Sequence, residues 1–156
     1  MPYMAGRFLL FSVGFVLIVW TNGAFAADRE TSVPGTSLEL QHRAEQIAFV
    51  NQKLAYWQQR LNLDQWHITV SVARATELRR DTMGNIHWDA QKQTAAIRVL
   101  DAADYTLPFP DTLRDVETTI VHELVHLSLS TIPRTEEART PEEQAVVRLT
   151  SALLKQ

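Results

Sequence analysis

The chain has 156 residues, 46% hydrophobic and 21% charged, a balance that fits one compact globular domain. It has no cysteine, which excludes disulfides, thiolate metal sites and a lipid-modified N-terminal cysteine. A formal net charge of −3 with no Lys/Arg cluster or basic aromatic stripe argues against nucleic acid and anionic membranes as partners.

In residues 1–26, Arg7 is the only charge, and the run Phe8 to Trp20 is uncharged. Thr21-Asn22-Gly23 then leads into Ala24-Phe25-Ala26, an A-x-A cleavage signal. The order is that of a secretory signal peptide cut after Ala26. A retained anchor is the competing reading, but the run falls short of the roughly 20 residues of a bilayer span. The mature protein is therefore expected in the periplasm or outside the cell, without stable membrane insertion. Residues 27–35 are polar and end in Pro34-Gly35, a flexible arm.

Thr36-x-x-Glu39 is a capping-box signature. From it, Leu40, Ala44, Ile47, Val50, Leu54, Trp57 and Leu61 recur at helical spacing to about Asn62. Trp66 to Val72 alternates as a strand with its large apolar groups on one face. Asn85 to Ala90 alternates again, Ile86 and Trp88 opposite His87 and Asp89. Gln91-Lys92-Gln93 is the turn that leads to a return strand over Thr94 to Leu100. After a loop holding Tyr105, Thr112-x-x-Asp115 marks the start of a helix to about Ser130. Thr140 as N-cap and Pro141 at the first helical position open a final helix, with Ala145, Val146, Leu149, Ala152 and Leu153 on its apolar face. The order α-β-β-β-α-α predicts an α+β domain of residues 36–156, a small three-stranded sheet covered by one layer of helices.

The helix over Thr112 to Ser130 contains His122-Glu123-Leu124-Val125-His126, the pattern H-E-x-x-H. Residues four apart share a helix face, so His122 and His126 present two imidazoles to one cation. Glu123, one position round, is placed to act on a water at that cation without ligating it. The flanks are apolar, and buried polar side chains need a shared partner, for which zinc is the simplest choice. A catalytic zinc has three protein ligands and an open fourth position. The extended motif with a third histidine is absent, because Leu129 and Ile132 stand where its glycine and histidine would be. Glu142 and Glu143, at the start of the last helix, remain as third ligands.

HELVHL followed by EEQAVVRLTSALL resembles the small gluzincin zinc peptidases of bacterial and phage type, and GNIHWDAQKQTAAIRVL is similar to the strand pair ahead of their metal helix. The resemblance spans roughly residues 66 to 154, and its specific part is HELVH. It implies a zincin-like minimal domain and a single-zinc metallopeptidase with a protein or peptide substrate. His122, His126 and Glu143 would be the metal ligands and Glu123 the catalytic base. Glu143, Val146 and Leu149 match the family's ligand spacing, and Val147 departs from it where a polar residue is frequent. Glu142 stays open as the ligand, since Glu143 stands three residues after Thr140 and could instead close a capping box. Tyr105 and His87 are candidates for the oxyanion or substrate contact, and the strand Thr94 to Leu100 is a candidate edge for an extended peptide. The other readings are a zinc-stabilised binding module without catalysis and a zinc amidase acting on cell-wall peptides.

Overall fold

The computed structural model describes residues 36–132, 135 and 137–155; the expected signal peptide and arm lie outside them. Helix α1 (Ser37–Arg60) opens with a complete capping box: Glu39 N–H donates to the Thr36 hydroxyl at 3.3 Å, and Thr36 N–H to the Glu39 carboxylate at 2.7 Å. It closes at Leu61, and Asn62, with φ 53°, turns the chain out.

The buried stripe of α1 is Gln46, Val50, Leu54 and Trp57. Leu40 and Ile47, expected on the core face, are 59% and 44% exposed. The reason is a polar residue that the apolar period passes over. Gln46 is fully buried, its amide donating to Leu100 O at 2.7 Å and its carbonyl accepting from Ala102 N–H at 2.9 Å. Both ends of the amide are satisfied, so burying it is tolerated, and it ties α1 to the end of the sheet.

Three strands, β1 (His67–Ala73), β2 (Gly84–Asp89) and β3 (Thr94–Leu100), form one mixed sheet in the order β1-β3-β2. β1 and β3 run parallel with His67 opposite Thr94; β2 and β3 form an antiparallel hairpin with Gly84 opposite Val99. The hairpin turn is held by the Asp89 carboxylate, which accepts from Gln91 and Lys92 N–H, and by Gln93 at φ 51°. β3 is therefore the central strand, paired on both sides, and the expectation that it offers a free edge is overturned. Its burial alternates up to the last residue: Ala95, Ile97 and Val99 are buried toward the helices, Ala96 and Arg98 are exposed on the other face, and Leu100 is buried. The edges are β1 and β2.

Helix α2 (Phe109–Ser128) starts earlier than Thr112-x-x-Asp115 suggests. Pro108 is its N-cap and Pro110 lies in its first turn, where a missing N–H costs nothing. Thr112 is buried inside the helix and donates its hydroxyl to Leu107 O. Helix α3 (Arg139–Leu154) likewise begins at Ala138 rather than with Thr140 as cap. Of its expected apolar face only Val146 is fully buried, Leu149 is 46% exposed, and Thr150 is buried in its place.

The core lies between sheet and helices. Val116, Ile120, Val121, Leu124 and Leu127 of α2 meet Val50, Leu54 and Trp57 of α1, the inner face of β3, and Val146 of α3. Trp57 keeps its indole N–H bonded, to the Glu117 carboxylate at 2.9 Å, and Lys53 pairs with the same carboxylate. The architecture is an α+β domain with a small mixed sheet and three helices.

Candidate metal centre

α2 is buried nearly all round at its C-terminal half: Val121 and Leu124 are fully buried, Val125 and Leu127 almost so. That packing fixes the helix, so His122 and His126 emerge one turn apart on the face that it leaves open. Their Nε2 atoms are 3.2 Å apart. The first turn of α3 meets this face. Glu143 Oε1 stands 3.2 Å from His122 Nε2, and its Oε2 3.2 Å from His126 Nε2.

Three donors thus converge, one from each residue, and together they form a group able to hold a metal ion. Nitrogen and oxygen ligands about 2.0–2.1 Å from a tetrahedral zinc stand roughly 3.3–3.4 Å from one another. The Nε2–Nε2 separation of 3.2 Å fits that edge length, while Glu143 meets each Nε2 at 3.2 Å through a different oxygen; taken one ligand atom per residue, the three lie within 4.8 Å of one another. Burial pushes the His122 imidazole below its ordinary value of 6.5, against the raising effect of Glu143 and with a further lowering from His126. At neutral pH the ring is therefore uncharged, the form in which an imidazole ligates metal.

The two glutamates separate by geometry. Consecutive helix residues point about 100° apart. Glu143 reaches both Nε2 atoms, whereas Glu142 Oε1 lies 3.3 Å from Nδ1 of His126, on the other side of that ring. Neither closes a capping box, because Thr140 lies within the helix. Glu123 is 8% exposed and lines the same cleft as the three donors.

That cleft, of about 580 Å³, is open and runs along α2 and strand β2. Its walls include Arg79, Met83, Asn85, Ile86 and Trp88 on the sheet side, and Asp115, Thr118 and Thr119 on the helix side. Gly84 lets the two walls meet: a Cβ there would stand 2.5 Å from Thr119 Cγ2 and 2.6 Å from Arg98 O.

The other two candidates are elsewhere. His87 is exposed in a shallow depression on the outer face of the sheet, with His67 and Thr69, and does not line the cleft. On an alternating strand its neighbours Ile86 and Trp88 take the core side, which sends His87 away. Tyr105 does not line the cleft either. Its hydroxyl donates to Asp115 Oδ2 at 3.0 Å, and burial together with that carboxylate drives the phenol well above its ordinary value of 10.0. It therefore reaches the cleft only through Asp115. Asp115, Thr118 and Thr119 were legible as the backward extension of the His122–His126 face at helical spacing, but their types announce no chemistry. Arg79 and Met83 come from a loop, and no sequence period points to them.

No match to this chain is found among protein-family models, curated proteins or solved structures.

Proposed function

We propose that this chain is a single-zinc metallopeptidase of the H-E-x-x-H type, built on a zincin-like minimal domain and exported by its N-terminal segment. The observation that carries the proposal is the convergence of two imidazoles and one carboxylate, whose ligand atoms lie within 4.8 Å of one another with the two Nε2 atoms 3.2 Å apart, and with Glu123 lining the same open cleft. A merely structural zinc site is normally closed by four protein ligands. Here three donors face a cleft, and Glu123 has no purpose in a structural site.

His122, His126 and Glu143 would hold the zinc. Bound zinc would polarise the scissile carbonyl and lower the pKa of an attacking water. Glu123 would accept a proton from the water as its oxygen bonds to the carbonyl carbon, and would pass it to the amine as the C–N bond breaks, so that the same carboxylate serves as base and then as acid. The substrate is a protein or peptide in extended form. With β3 enclosed, the free edge beside the cleft is β2, and its backbone is the surface on which an extended peptide would add a strand.

The test is the zinc content of the purified protein and its hydrolysis of casein, beside the Glu123→Gln variant. About one zinc per chain in both proteins is expected, with hydrolysis in the parent alone. No zinc after incubation with excess metal rejects the proposal. Zinc without cleavage of casein, but with cleavage of isolated peptidoglycan peptides, assigns the same residues to a cell-wall amidase.

A further inference from the structure

His126 is gripped on both of its ring nitrogens by consecutive residues of one helix turn. Glu143 Oε2 is 3.2 Å from Nε2, and Glu142 Oε1 is 3.3 Å from Nδ1. The side chains of His126 and Glu142 are only 15% and 19% exposed, against 52% for Glu143. Water competes little for the Glu142 contact. His122 differs: its contacts to His126 and Glu143 both go through Nε2, and among the described residues none reaches its Nδ1.

A neutral imidazole carries one N–H and one lone pair, and the partner of one nitrogen decides which is which. A carboxylate can only accept, and one stands beside each ring nitrogen; with Glu143 and Nε2 both given to the metal, Glu142 would keep the one ring proton on Nδ1 and leave the Nε2 lone pair for the ion. We propose that Glu142 is a positioning residue that accepts the Nδ1–H of His126 and sets the tautomer and ring orientation in which His126 takes up the metal. This rests on the zinc reading above. It makes His126 the pre-oriented ligand of the pair, and it gives the two adjacent glutamates different tasks, one holding the ion and one holding its ligand.

Glu142 has a competing role as a first-turn carboxylate that favours the N-terminus of α3. That role acts on the fold whether or not zinc is present, which separates the two. The experiment measures zinc affinity by competition with a chromogenic chelator, for the wild type, Glu142→Gln and Glu142→Ala, with the melting temperature of each zinc-free protein alongside. Glu142→Ala is expected to bind zinc roughly ten- to a hundredfold more weakly. Glu142→Gln, which keeps an acceptor oxygen, loses less, and the zinc-free melting temperatures stay close together. In the zinc-loaded wild type a slowly exchanging His126 Nδ1–H should be visible by NMR, and lost to solvent exchange in Glu142→Ala.

Zinc affinity unchanged in Glu142→Ala overturns the inference and leaves the zinc reading standing. So does a loss of affinity that follows entirely from a lower zinc-free melting temperature. A wild type that binds no zinc overturns both.

Discussion

Glu123 and Glu143 are carboxylates that line the same cleft as the two imidazoles, and their surroundings differ. Glu143 sits on the first turn of α3 with its side chain 52% exposed, and both its oxygens turn to histidine nitrogens. Glu123 is buried to 8% exposure in the wall of α2, held by the helix that carries the histidines. Replacing Glu123 by Gln should therefore keep zinc and its affinity while lowering kcat by about 10²–10⁴-fold, as removal of a general base does; steady-state kinetics and metal content measured on one sample check this. Tyr105 is the other residue with a definite expectation. Folded, its phenol stays protonated well above 10.0, whereas the unfolded chain ionises near that value. A folded-state pKa raised in this way contributes stability that is intact below pH 10.0 and is lost as the pH rises beyond it. Melting curves taken from pH 9 upward should fall steeply in the wild type and more gently in Tyr105→Phe. At neutral pH the variant should be less stable by about 1 kcal/mol, for the bond to Asp115.

At the scale of elements, the cleft depends on how closely β2 approaches α2. Gly84 opens β2 opposite Val99 and directly under Thr119. A methyl group there meets the Thr119 side chain, held by its bond to Asp115 O, on one side and the Arg98 carbonyl, fixed by the sheet, on the other. Gly84→Ala should cost about 1–3 kcal/mol, as overpacking does, and should push the edge strand away from the helix. Urea unfolding reads the first effect. A rise in KM for an extended peptide larger than any change in zinc affinity reads the second. The other edge of the domain is set by α1. Through Gln46, and through the ion pair of Arg43 with the buried Asp101, it pins the exit of β3, from which the chain passes to α2.

For the whole molecule, the candidate metal site joins α2 and α3, through His122 and His126 on one helix and Glu142 and Glu143 on the other. Val146, fully buried in the main core, anchors α3 without the metal. Zinc removal should therefore loosen the first turn of α3 and leave the domain folded. Chelation is expected to lower the melting temperature, since a ligand present at a thousand times its Kd stabilises by about 4 kcal/mol. Hydrogen exchange should quicken at Glu142 to Val146 and stay slow in α2. Glu143→Ala should melt at one temperature with or without zinc; a zinc-dependent shift that survives in this variant would reject Glu143 as a ligand.

What the sequence determined by itself are the features written in short range. The capping box at Thr36 and Glu39, the alternation of β1 and β2, the turn at Gln91 to Gln93 and the pairing of His122 with His126 follow from contacts within a few residues. The tertiary structure decided whatever depends on which element lies beside which. Periodicity shows that Thr94 to Leu100 is a strand, but a central strand and an edge strand differ only in their neighbours. Leu40 and Ile47 have the same spacing as Val50 and Leu54, yet the buried stripe of α1 runs through Gln46, which finds two backbone partners, and leaves Leu40 and Ile47 exposed. Glu142 and Glu143 are adjacent in sequence, and only the docking of α3 on α2 gives one of them the Nε2 atoms of both histidines and the other the far side of a single ring.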